Sequence, residues 1–412
     1  MISLKKSFNQ TLAIMSLLNG YAFSFFRGFS LAMIISTAFA VFALTMYIRD
    51  GISLSKGGLI LFCCFAVVET VGSIFFVDFI DYKRMIYIIL KLFIWAIYVT
   101  MAGKLYFDYY MLLFYIKNVI IITFIYLCLQ YIAHYLLHMS LPVSFNLGII
   151  KANSTDYEYI MEASNNVFRP GSLWLEPGYL GYYYNGFLAI CLFDPWSVKK
   201  ITPYYTVIKY ITCIGVLMSM SSGAIGTMVI LILVSIISKN KKNSIYTLLS
   251  AICIVTLIIC FFKFNWIEAF KGISPSFDNT IWKLQNLDKV GRIGASFELL
   301  NLLSTRSLLF GLGLGNELFI TLGGYMNGIV TLVMWVGYIG LTVWILLFFY
   351  MGKRYCKTLV QKVMLYTLLF SGIFAGLYFG AHSFIYLIVA LYMDNSVREG
   401  IRRYDESTYF RT

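Results

Sequence analysis

The chain is expected to be an all-α polytopic membrane protein, and three observations lead there. Its 412 residues are 60% hydrophobic, 18% aromatic and only 12% charged. Apolar windows long enough to cross a bilayer, which takes about 20 residues as helix, recur along its length. The basic residues gather in alternate connecting segments, as they do in multi-pass proteins. About twelve spans follow, near 10–26, 28–48, 57–79, 85–103, 109–137, 179–193, 204–221, 223–238, 244–263, 327–350, 363–380 and 382–397. The first, sixth, eighth and last are short for a span. The whole of 1–412 reads as one integral membrane domain.

With both termini in the cytoplasm, eighteen of the 32 Lys and Arg residues fall in inner segments, so the +13 net charge encodes orientation. A nucleic-acid partner is not needed to explain it. Lys5 and Lys6 precede the first span, and no small-residue cleavage site follows it persuasively. Seven of the eight cysteines fall in spans and Cys356 in an inner loop, which leaves no disulfide framework outside and no zinc-type spacing.

Two outer segments, 138–178 and 264–326, are too long to be simple connectors and contain aromatics and proline, so they are expected to order against the membrane domain. In the second, Leu287, Val290, Ile293, Phe297 and Leu300 form one apolar stripe at helical spacing, with Arg292 on the opposite face. Such a helix can lie at the membrane boundary and present Arg292 to an aqueous cavity; a surface helix with a solvated arginine is the alternative. Phe310-Gly-Leu-Gly-Leu-Gly315 follows, either a hinge or a run of exposed amides.

Arginine carries a planar donor fork suited to phosphate, and the outer segments supply Arg169, Arg292 and Arg306. Each could instead pair with a lipid headgroup. Glu176 precedes Pro177, which favours an extended backbone, and it stands where a helix begins. It could cap that helix, pair with Arg169, or position a sugar hydroxyl. Glu69 and Lys91, in adjacent spans, could form a buried pair or a proton relay. Lys117 and Lys209 could snorkel. His138 and His382 lie near outer span ends and are reserve candidates for acid–base work.

Arg169-Pro-Gly-Ser172-Leu-Trp-Leu-Glu176-Pro177-Gly-Tyr179-Leu-Gly181 resembles the "R-x-x-S-hydrophobic-x-x-E-P-S" block of the bacterial O-antigen/capsule polymerase and ligase superfamily, the Wzy-type polymerases and O-antigen ligases. Ser219-Met-Ser221-Ser222-Gly-Ala resembles that superfamily's small-residue block. Gly291-Arg292-Ile and Phe310-Gly-Leu-Gly-Leu-Gly315 resemble its large outer loop. Met326-Asn327, nine residues and then Gly337-Tyr-Ile-Gly340 follow the ligase pattern H-[NSQ]-x9-G-x-x-G at every position but the histidine. That departure favours the polymerases over the ligases.

The resemblance implies an inverting, metal-independent, GT-C-like glycosyltransferase of the bacterial cytoplasmic (inner) membrane that needs no cofactor. It implies that undecaprenyl-diphosphate-linked repeat units are joined at the outer face into O-antigen, capsule or exopolysaccharide. Arg169, Glu176 and Arg292 are then the catalytic set, with Arg306, Ser172, Tyr179 and Asn327 binding substrate. Membrane lipids, a flippase and a chain-length regulator are the implied partners. An O-antigen ligase-type transferase and a lipid-linked sugar transporter or flippase are the alternatives.

Overall fold

The computed structural model describes residues 2–24, 29–50, 82–139, 141–142, 149–152, 168–239, 300–301, 303–313, 328–375 and 380–409. These are predominantly helical: α1 (Ile2–Leu18), α2 (Leu31–Asp50), α3 (Tyr82–Ile97), a π-turn (Tyr98–Ala102), α4 (Gly103–Tyr106) and α5 (Tyr109–Leu136). Then come α6 (Pro177–Phe193), α7 (Pro195–Ile201), α8 (Tyr205–Met218), α9 (Ser222–Lys239) and α10 (Thr305–Phe310). The chain continues through α11 (Gly328–Arg354), α12 (Leu359–Ala375), a 3-10 turn (Ala381–Ser383) and α13 (Phe384–Tyr409).

Among the described residues, four stretches are long and apolar enough to cross a membrane: Leu31–Arg49, Met85–Tyr106, Tyr109–Leu136 and Gly328–Arg354. The bent pair α7–α8, turned by 111°, makes a fifth if it counts as one span. The expected spans 57–79 and 244–263 lie outside the described residues, as does nearly all of the amphipathic stripe.

One expectation needs correction. The first span is not 10–26: α1 starts at Ile2 and stops at Leu18, before Asn19 and Gly20. Tyr21–Phe23 (β1) then pairs antiparallel with Ile150–Ala152 (β2), a short two-stranded ribbon within a predominantly helical, all-α architecture. Asn19 and Gly20 close the helix, their amides donating to the Met15 and Leu17 carbonyls, and the three residues that follow meet a strand from the first long outer segment. The expected ion pair of Lys91 lies partly outside the described residues, at Glu69; the Lys91 ammonium stands 4.4 Å above the Trp95 ring. Lys117 and Lys209 likewise lie over neighbouring rings of their own helices.

Helix α6 is the spine. It is buried on every side from Pro177 to Cys191 apart from Tyr179, and it packs against α8, α9 and α12. A helix apolar all round belongs in a core, and this one carries polar handles that tie it to the rest. Tyr183 donates to the Ala13 carbonyl of α1 at 2.6 Å, and Asn185 donates to the Ala224 carbonyl of α9 at 2.7 Å. The Tyr184 hydroxyl meets Thr123 Oγ1 of α5 at 2.9 Å, and Tyr386 of α13 donates to the Tyr182 carbonyl.

The helix ends sort into two groups. At one end Tyr109 bonds both Asp194 and Ser396, Asn9 bonds Tyr106 and Asp108, and Gln361 bonds Ala390. Lys199, Lys200, Lys353, Arg354, Lys357 and Lys362 occupy this same end, hereafter the basic end. Residues 16–20, 130–139, 168–178, 218–222 and 380–384 meet at the other.

Helix α11 is interrupted. Gly337 has φ +66°, and the break releases the Met334 and Trp335 carbonyls from the helix. They accept instead from the Leu312 and Gly313 amides, at 2.6 and 3.2 Å. Gly311 (φ +81°) and Gly337 make this approach possible. A Cβ on Gly311 would lie 2.3 Å from the Trp335 oxygen, and one on Gly337 would lie 2.1 Å from the Leu309 oxygen. The glycine run and the Gly337–Gly340 pattern are therefore two halves of one lock.

Gly337→Ala should cost at least ~2 kcal/mol from strained φ and backbone overlap. A lower melting temperature and poor monodisperse recovery in detergent would register it. Burial pushes the Cys356 thiol, in the turn before α12, up to about 11, against a smaller opposing effect of Lys362. Because the thiolate alkylates, Cys356 should resist iodoacetamide at pH 8 and react only as pH climbs past 10, as peptide mass mapping would record.

Candidate active site

The segment 168–176 runs without helix between α5 and α6, because Pro170 and Pro177 restrict the residues before them and Gly171 bends the chain. The Trp174 amide donates to the Gly171 carbonyl at 2.9 Å. A Cβ at Gly171 would sit 2.2 Å from the Trp174 oxygen, so only glycine fits. Ser172, fully buried with φ +54°, donates its hydroxyl to the Thr123 carbonyl at 2.7 Å, and its own carbonyl accepts from Gln130 at 3.2 Å. Its side chain is thus committed to fixing this turn against α5.

Glu176 has the extended backbone that Pro177 imposes (φ −123°, ψ 128°) and occupies the N-cap position of α6. Its carboxylate makes no capping bond, contrary to one of the roles open to it from sequence. Instead Oε1 lies 3.4 Å from where a Cβ of Gly178 would be, beside the Ser221 hydroxyl at 3.6 Å from the same point. The second sequence block enters here. The ideal Cβ position of Gly181 is 2.9 Å from Ser219 Oγ and 2.5 Å from the Ala224 methyl, so α6 and the start of α9 touch through the absence of a side chain.

Arg169 is half-buried and within electrostatic range of the Tyr131 hydroxyl on α5. Its neighbour Phe168 stacks on His134 at 3.9 Å and nearly parallel, and meets Tyr131 edge-on. His134 escaped notice in the sequence because nothing local separates it from other span-end histidines. His138 is exposed and left-handed (φ 51°), just past the end of α5.

His382 is drawn in from the far end of the sequence. Its ring stacks on Tyr179 at 4.0 Å and 19°. Nδ1 lies 2.6 Å from Ser16 Oγ, which accepts from the Trp174 indole N–H at 3.0 Å. Nε2 lies 3.3 Å from Asn19 Nδ2, and Asn19 Oδ1 accepts from Ser30 at 3.4 Å. Two proton arrangements satisfy every partner, and they differ by a flip of the Asn19 amide together with the imidazole tautomer. The ring is neutral in both.

The buried members, Ser16, Trp174 and Ser172, lie beneath partly exposed Asn19, Glu176, Tyr179 and His382. Ser16 and Asn19 sit one turn apart at the end of an apolar helix, and an indole N–H in so apolar a chain needs an acceptor. Those are the signals that could have singled them out.

Arg306 is exposed in the first turn of α10, whose packing partner is α11. Arg292, Met326 and Asn327 lie outside the described residues. The structure thus brings Arg169, Ser172, Glu176 and Tyr179 into one neighbourhood and carries Arg306 on a separate element.

Trp174→Phe should keep the ring packing but strand the Ser16–His382 pair without its indole donor. A stability loss of about 1 kcal/mol is expected, measured by thermal unfolding in detergent. No family model matches the chain, and no curated protein matches it either.

Proposed function

We propose that the protein is a polysaccharide polymerase that joins lipid-diphosphate-linked oligosaccharide repeat units at the outer face of a bacterial cytoplasmic membrane. The observation that carries this reading is the meeting of two sequence blocks, 169–181 and 219–224, around the Glu176 carboxylate at the N-terminus of a buried helix. A polar, non-helical segment held so firmly among apolar helices suits a site that must grip a charged headgroup.

In this reading the basic end faces the cytoplasm, which puts the 168–178 segment outside. The full chain makes about twelve spans, with both termini inside. Arg169, together with Arg292 and Arg306 from the second outer segment, binds the diphosphate and stabilises the charge that develops as it leaves. Glu176 orients an arginine or the acceptor sugar, with Tyr179 and Asn327 lining the site. A hydroxyl of the incoming unit attacks the anomeric carbon of the growing chain, the bond from that carbon to phosphate oxygen breaks, and configuration inverts. The donor bond supplies the energy, so neither metal nor nucleotide is called for. A flippase that delivers repeat units and a chain-length regulator are the partners such a reaction implies.

A second reading, translocation of a lipid-linked sugar, draws on one observation: the discontinuous α11, since broken helices are frequent in transporters. The two readings part on whether covalent elongation occurs.

Purified protein given an undecaprenyl-diphosphate oligosaccharide should yield longer lipid-linked glycans on gels or by mass spectrometry. Arg169→Ala should lower that elongation by roughly 100-fold or more. Arg169→Lys should recover only part of it, because a point charge does not replace a donor fork. Undiminished ladders from well-folded Arg169→Ala would remove Arg169 from the site.

A further inference from the structure

We propose that His382 takes the proton from the attacking sugar hydroxyl, an assignment that rests on the polymerase reading above. Three pieces of geometry support it.

The ring is oriented from behind. Ser16 holds Nδ1 at 2.6 Å and is itself fixed by the Trp174 indole at 3.0 Å, while Tyr179 stacks on one face at 4.0 Å. A base held by a third group on its far nitrogen is the arrangement that general-base catalysis uses. Second, the other nitrogen is weakly engaged. Among the described residues Nε2 meets only the Asn19 amide, at 3.3 Å, and a substrate hydroxyl can displace that contact. In the arrangement where Asn19 Nδ2 donates, Nε2 carries the lone pair and Nδ1–H points to Ser16.

Third, the location fits. Tyr179 lies in the first turn of α6, its amide donating to the Glu176 carbonyl at 3.1 Å, so ring and carboxylate belong to one neighbourhood.

The step balances. The acceptor oxygen forms a bond to the anomeric carbon, whose bond to phosphate oxygen breaks with its electron pair leaving on the diphosphate. The hydroxyl proton passes to Nε2, and the resulting imidazolium gives it up to water after the product departs.

The experiment uses the full chain in detergent with an undecaprenyl-diphosphate oligosaccharide, measuring kcat, KM and melting temperature for wild type, His382→Gln and Ser16→Ala. Expected is a fall in kcat of about 10²–10⁴-fold for His382→Gln, with KM nearly unchanged. A smaller fall is expected for Ser16→Ala, in kcat again and not in KM. His382→Gln within threefold of wild type overturns the assignment and leaves the polymerase reading standing. If His382→Gln does not fold, Ser16→Ala decides: a kcat loss at constant KM supports the assignment, and an unchanged kcat overturns it. Wild type that elongates nothing overturns the polymerase reading and this assignment together.

Discussion

A polar atom taken out of water into an apolar interior must find a partner inside the protein, and the arrangement of this molecule follows from how α6 meets that demand. The helix is enclosed by its neighbours, yet three consecutive tyrosines and an asparagine run through its middle. The side chains of Tyr183, Tyr184 and Asn185 reach outward to α1, α5 and α9, and the Tyr182 carbonyl receives a hydroxyl from α13. Each bond is worth about 1 kcal/mol. Their larger effect is on register, since a helix that slid by one residue would leave several donors buried and unmet. The N-terminus of α6, where Glu176 stands, is consequently a fixed platform.

Interruptions of helix raise the same demand for the main chain, and the protein answers it twice. Along 168–176 the carbonyls and hydroxyl of the turn are met by Gln130, Thr123 and the chain itself. At Gly337 the carbonyls freed from α11 are met by the amides of Leu312 and Gly313. Both solutions need glycine for closeness: Gly171 in the first, Gly311 and Gly337 in the second. The sequence blocks that stand out by composition are thus, in large part, the places where an irregular backbone is made tolerable in apolar surroundings. Chemistry can be mounted there because the backbone beneath it is rigid.

Charge is distributed with equal economy. Lysines crowd the end where α7 turns into α8 and where α11 leads to α12. Among the described residues the opposite end offers few full charges and many neutral hydrogen-bonding groups, notably the imidazole of His382 and the indole of Trp174.

Much of this was legible in the sequence. Apolar windows marked most of the described helices to within a few residues, because helix length and hydropathy are local properties. Pro177 fixed the backbone of Glu176, since proline constrains the residue before it wherever it occurs. The end of the first helix was misjudged: Tyr21–Phe23 is as apolar as a span, and only pairing with Ile150–Ala152 makes it a strand. The role of Ser172 was equally hidden, because a hydroxyl looks the same whether it awaits a ligand or a carbonyl 49 residues away. His382 and Ser16 stand 366 residues apart and carry no local signature of each other. Composition and periodicity determined that this chain is a bundle of apolar helices with polar segments between them. Which of those polar groups touch was decided by tertiary packing alone, because hydrogen-bond partners are chosen by proximity in space once the helices have closed around α6.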